Sequence, residues 1–204
     1  EGQISVVESI HVLDKEPIEL DYDTTITFYN SSDRFSYRKP DQLMDVSSGV
    51  ICCPNNFQLD KPLPEGMIRI TNLANYSLWN ALSEEEYKQQ KAWWLEKALE
   101  QVVNLVPDFR SHIVYSDVFT PKTIHRFTGH INGAVYGAPN KIKNGATHLD
   151  NLFICGTDQG FLGIVGSMLS GISMATLVAL SLGDGPSGRA GATTSVATAL
   201  VTAP

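Results

Sequence analysis

The chain has 204 residues, 43% of them hydrophobic and 18% charged, enough for a folded core and for parts of two domains. Its formal net charge is −7 and it has no Lys/Arg-rich run, which argues against a nucleic-acid partner; its three cysteines, two of them the adjacent Cys52 and Cys53, build no disulfide framework. It opens at Glu1 on a strand-like run with no charged-then-apolar leader, so it is expected to begin inside a longer protein of a reducing compartment, the cytoplasm.

Runs of β-branched and aromatic residues at 4–13, 24–30, 50–53 and 67–72 predict strands. Pro17, Pro54, Pro62, Pro64 and Gly66 separate them, as in an antiparallel or mixed sheet with long loops. Ser83 followed by Glu86 has capping-box spacing, and Glu84 and Glu85 suit the positive end of a helix. Tyr87, Trp94, Leu95, Ala98, Leu99, Val102 and Leu105 recur at helical spacing as a buried face, and Pro107 stops the helix. A strand follows at 113–118. Thr120 and Pro121 then open a short helix through Arg126 and Phe127 that ends near Gly129. After a Gly-rich loop over 129–139, a short apolar strand at 152–155 leads through a glycine turn, 156–163, into an apolar helix at 164–182 closed by Gly183. The Gly/Ala/Ser/Thr-rich stretch 184–204 is expected to be disordered or loosely attached.

The stretch 151–171 carries the chemistry. Gly156, Gly160, Gly163 and Gly166 permit positive φ and close approach of a backbone to a ligand. They open into a helix N-terminus, whose unpaired N–H groups attract negative charge. Asp158 is ill placed for a phosphate and well placed to accept a hydrogen bond from a ribityl or ribose hydroxyl. The amides of 163–165 could stabilise charge at the electron-rich edge of a reduced flavin. The spacing alone equally allows a simple strand-to-helix turn. Gly163, Ser167, Gly171, Ala175 and Ala179 form a small-residue stripe that suits close packing of a backbone or a flat ligand. A membrane span over 160–182 is the competing reading, but the segment lacks a basic flank and an aromatic belt.

The run Leu-Phe-Ile-Cys-Gly-Thr-Asp-Gln-Gly-Phe-Leu-Gly-Ile-Val-Gly at 152–166 resembles the C-terminal flavin-binding motif of FAD-dependent enzymes of the amine-oxidase fold. The branch it resembles holds the phytoene desaturases, carotenoid isomerases and retinol saturase-like proteins. Thr120-Pro121, Arg126-Phe127-Thr128 and Gly133-Ala-Val-Tyr-Gly137 are similar to the segment preceding that motif, and 83–107 resembles a substrate-domain helix. Where many carotenoid desaturases carry His-Pro after Gly-Thr, this chain has Asp158-Gln159.

The resemblance implies the C-terminal portion of a two-domain α/β flavoenzyme, itself an α+β fragment. Residues 1–145 would be part of the substrate domain, including any strands that return to the FAD domain, and 146–183 would be the C-terminal FAD segment. The N-terminal Rossmann half of the same protein would hold the ADP moiety. Gly156, Thr157 and Asp158 would meet the ribityl–pyrophosphate side of FAD, Gly163, Ile164 and Val165 the ring edge, and Gly160 and Gly166 would also be cofactor-binding. The substrate would be apolar and carotenoid- or retinoid-like, touching Tyr136 and Thr128, with hydride transfer at flavin N5 and a peripheral membrane contact compatible with it. A flavin amine oxidase of the same fold is the alternative enzyme, and a membrane-anchored non-catalytic domain the alternative of another class.

No catalytic residue is assigned. His125, His130 and His148 read as structural, and neither they nor the cysteines have metal-ligand spacing, so no metal is expected. No G-x-S-x-G elbow supports a serine hydrolase. Tyr136, between glycines, can stack on a flat or apolar ligand.

Overall fold

Side chains alternate strictly between buried and half-buried along Gly66–Ala74, the two-residue period of a strand with one face on a core. The computed structural model describes residues 1–183; the stretch 184–204, expected to be loosely attached, lies outside them. The chain divides into two units, Gly2–Val135 and a second that begins at Tyr136 and includes Glu1.

In the first unit β1 (Ser5–Leu13), β2 (Ile26–Asn30), β3 (Met44–Cys52), β4 (Gly66–Ala74) and β5 (Ile113–Phe119) pair in the order β2-β3-β4-β1-β5, every pair antiparallel. The sheet and the helices α1 (Tyr76–Ala81), α2 (Glu84–Val102) and α3 (Pro121–Thr128) give a mixed chain built on an antiparallel sheet. The core joins Val7, Leu13, Ile51, Ile68 and Ile70 of the sheet to Trp79, Trp94, Leu99 and Val102 of α1 and α2. Burial of these large apolar side chains is the main stabilising term, about 1.5–3 kcal/mol each for the aliphatic ones.

The caps behave as their chemistry requires. The Ser83 hydroxyl accepts from Glu86 N, and the Glu86 carboxylate accepts from Ser83 N at 2.9 Å. The Ser83 hydroxyl also donates to that carboxylate at 2.7 Å, and this bond, with the one from Ser83 N, holds the Glu86 carboxyl below its ordinary pKa. Thr120 and Thr123 cap α3, Pro121 occupies its first turn, and Gly129 closes it at φ 70°.

Four features differ from the sequence reading. β3 begins at Met44, well before residue 50, and its register with β4 shifts between Met44 and Gly49. Asp45 binds Ser47 and Ser48 there, which gives that half-strand a loop-like composition. The short helix α1, capped by Asn75, was not expected. Helix α2 ends at Val102, so Leu105, expected on its buried face, is exposed. No strand forms at 152–155: Phe153 makes one isolated bridge to Ala146.

The second unit consists of a loop, a 3-10 turn at Gly156–Gln159 and helix α4 (Gly163–Gly183). Residues 136–145 fall in this unit and are bonded to the rest of it. Ile142 N donates to Asp158 O at 2.9 Å, and Ile154 N to Gly145 O at 2.7 Å.

Candidate functional site

The glycine corner is held by a small buried polar network. Ser170, on the buried side of α4, accepts from Gly156 N at 2.6 Å and donates to Gln159 Oε1. The Gln159 amide donates in turn to Lys143 O at 3.0 Å and lies 3.1 Å from Met174 Sδ. Each buried polar group therefore has a partner, the condition for such a network to stabilise a turn. Gly156 takes φ 82° and Gly160 φ 111°, and Phe161 N donates back to Gly156 O, so the backbone reverses tightly before the helix.

Asp158 reaches across this turn. Its Oδ1 accepts from Ala138 N at 2.7 Å, while Oδ2 has no partner among the described residues. Tyr136 and Gly137 both have positive φ, and a Cβ at Gly137 would lie 2.2 Å from Asp158 Oδ1. The carboxylate thus fastens the 136–138 loop, a role the sequence reading did not include. Lys141 donates to Tyr136 O from the same loop at 2.5 Å, and the Tyr136 side chain is exposed.

At the start of α4 the surroundings change. The amides of Gly163, Ile164 and Val165 precede any i−4 acceptor and have no other acceptor among the described residues. Gly163 has φ 72°, and an added Cβ would meet nothing within 4 Å. Ile164 is 83% and Val165 69% exposed, and Met168, Leu169 and Ile172 continue this apolar side. The withdrawn side of the helix is Ser167, Ser170, Gly171 and Met174. Of the small-residue stripe, Ser167 and Gly171 are half-buried while Gly163 and Ala175 are exposed. Helix α4 turns small and polar residues inward and apolar ones outward, the reverse of a free-standing surface helix.

Of the site residues named from sequence, Gly156, Thr157, Asp158, Gly160, Gly163, Ile164, Val165 and Gly166 lie together on this corner. Tyr136 belongs to the same unit, whereas Thr128 ends α3 in the other, where its hydroxyl donates to Ile124 O at 2.8 Å. Gln159 and Ser170 were missed as site-building residues. Ser170 is one of several hydroxyl residues in this helix, with Ser167, Ser173 and Thr176, so nothing local to it marks the contact with Gln159. His125 donates from Nδ1 to His130 O, and His130 from Nδ1 to Ala134 O, so both act structurally. Among the described residues no His/Cys/Asp/Glu cluster could hold a metal, and no helix is long and apolar enough to cross a membrane.

By sequence the chain groups with enzymes, oxidoreductases and isomerases named for carotenoid and retinoid chemistry, the branch that 152–166 resembles. It is 22% identical over 177 residues to the all-trans-retinol 13,14-reductase of Danio rerio, covering 78% of this chain and 29% of that protein. It is 29% identical over 157 residues to the 4,4'-diaponeurosporene oxygenase of Staphylococcus haemolyticus, covering 71% and 30% respectively. It is 28% identical over 153 residues to the chloroplastic prolycopene isomerase of Daucus carota, covering 69% and 25%. The chain thus spans less than a third of the length of these curated relatives. No family model matches it.

Proposed function

We propose that this chain is part of a FAD-dependent oxidoreductase acting on an apolar, carotenoid- or retinoid-like substrate, with the nucleotide-gripping Rossmann half supplied by the rest of the same protein. The observation that carries the reading is the opening of α4. Backbone amides without acceptors stand beside a glycine whose Cβ position is empty of protein, at the edge of an exposed apolar face. These are the features an electron-rich aromatic ring edge needs: N–H donors, room for close approach and a surface that excludes water. The relatives support the substrate class through their names.

In this reading Gly163, Ile164, Val165 and Gly166 hold the ring edge, their amides favouring the form that carries negative charge. Gly156, Thr157, Asp158 and Gly160 face the ribityl and pyrophosphate side. The Gly156 amide is already bonded to Ser170, so what that residue contributes is its conformation. Asp158 offers Oδ2 to a ribityl hydroxyl while Oδ1 keeps the 136–138 loop in place. FAD, when bound, supplies the hydride chemistry at N5; the chain's own residues bind, orient and exclude water. Tyr136 presents an exposed aromatic face to the substrate. A cytoplasmic enzyme peripheral to a membrane would fit, because such substrates partition into bilayers.

The test is Asp158→Ala in the full-length enzyme. FAD affinity should fall by about 1–3 kcal/mol, the cost of a charge-assisted hydrogen bond, as read by flavin retention and titration of the apoprotein. Unchanged flavin stoichiometry and affinity would refute the assignment.

A further inference from the structure

The sheet of the first unit has a second face, and its register aligns that face into rows. Phe28, Val50, Thr71, Glu8 and Phe119 stand directly opposite one another from strand to strand across all five strands. Ile26, Cys52, Arg69, Ile10 and Asp117 form the adjacent row, and Met67, Val12 and Tyr115 the next. Directly paired residues share a face, so this surface is mostly apolar, with the Glu8–Arg69 pair near its middle and Asp117 at its β5 edge. Phe28 is 79% exposed, and Ile26 and Tyr115 are exposed as well, in contrast to the fully withdrawn core face.

The pair is unequal. The Glu8 side chain is 9% exposed, and its oxygens accept from Arg69 Nε at 2.5 Å and from the Thr71 hydroxyl at 3.1 Å, with a further contact from Arg69 Nη2. The Arg69 side chain is 40% exposed, and its Nη1 has no partner among the described residues. Asp117, at the far edge of the same row, is taken by Lys91. A withdrawn ion pair is generally no more stabilising than two apolar residues of the same volume. What it adds here is a planar donor, held at a fixed angle by Glu8, whose free edge looks out of an apolar surface. A donor in such surroundings bonds an incoming oxygen more strongly than it would in water. Because Glu8 already balances the guanidinium charge, the preferred acceptor is a neutral oxygen rather than a carboxylate.

We propose that Arg69 is a specificity-determining residue that receives the hydroxyl or carbonyl end of an elongated, otherwise apolar substrate lying on this face; the inference rests on the apolar-substrate reading above. The experiment uses the full-length flavin-loaded enzyme and two probes, all-trans-retinol and the same polyene lacking the hydroxyl. Binding of both is measured for the wild type, for Glu8→Gln/Arg69→Met, which removes the pair without leaving a buried charge unpaired, and for Arg69→Lys, which keeps the charge and loses the planar fork. The double variant should bind retinol about tenfold more weakly and the hydrocarbon unchanged, with flavin content intact, and Arg69→Lys should lose part of the same preference. If the double variant does not fold, the Arg69→Lys ratio decides. Wild-type binding of both probes with the retinol-to-hydrocarbon ratio unchanged in the variants overturns this proposal alone. Wild-type binding of neither probe overturns the apolar-substrate reading and this proposal with it.

Discussion

In the first unit the side chains withdrawn from water are large and apolar: Ile51, Ile70, Trp79 and Val102 meet between a sheet face and two helices. In the second unit the residues withdrawn are Gly145, Gly156, Gln159, Ser170 and Met174, while Ile164, Val165, Met168, Leu169 and Ile172 face outward. One unit is held by hydrophobic burial, which is non-directional and grows with area. The other is held by a few directional hydrogen bonds, which fix a shape but contribute only about 0.5–1.5 kcal/mol each. The difference teaches where rigidity and where recognition are placed. The sheet carries its own core on one face, whereas the corner is a shaped surface whose apolar side is left for something else to cover.

The largest expected effect tests the first half of that contrast. Trp79 is fully withdrawn, and its indole donates to Leu43 O at 2.8 Å. Trp79→Ala should cost about 3–5 kcal/mol in urea unfolding; a loss under 1 kcal/mol would mean that α1 is not part of the core. The next effect comes from acid. Burial pushes His11 down to about 4 from its ordinary value of 6.5, with its ring nitrogens 2.8 Å from Ser116 Oγ and 3.1 Å from Ser9 Oγ. Its neutral form is the folded one, whereas the unfolded chain takes up a proton below pH 6.5. The stabilisation is therefore complete above pH 6.5 and is lost as pH falls toward 4, by about 3 kcal/mol. His11→Gln should flatten that part of the stability–pH curve; an unchanged slope would assign it to the carboxylates instead.

The smallest effect sharpens the second half. Ser170→Ala deprives the Gly156 amide and Gln159 Oε1 of their shared partner. It should lower the local opening free energy by about 1–3 kcal/mol, read as faster hydrogen exchange at Gly156. Exchange there at the wild-type rate would show that the corner does not depend on the network.

The scaffold was legible because its signals are local. The β-branched and aromatic runs of β1 and β4, the Ser83–Glu86 box and the Thr120-Pro121 start each lie within a few residues of the element they define. What escaped had other causes. The first half of β3 hides behind the Asp45–Ser47–Ser48 bonds at its irregular register. Helix α1 is six residues long, too short for a helical period to appear. The apolar run at 152–155 reads as a buried strand by composition, yet Leu152 and Phe153 are exposed and Phe153 finds one bridge partner. At the corner, the glycines and the helix start were readable, whereas the hold of Asp158 on Ala138 spans twenty residues and leaves no local mark.

Gly49 bears on how the sheet reaches its pairing. A Cβ at this position would lie 2.6 Å from Thr71 O, 2.7 Å from Asn72 Nδ2 and 2.9 Å from the Tyr29 hydroxyl, because Asn72 and Tyr29 bond to each other over the glycine. A slip of β3 by one residue would bring Ser48 or Val50 into that notch and reverse every side chain from one surface to the other. The notch therefore disfavours the shifted register sterically, at the same point where the correct one closes a hydrogen bond.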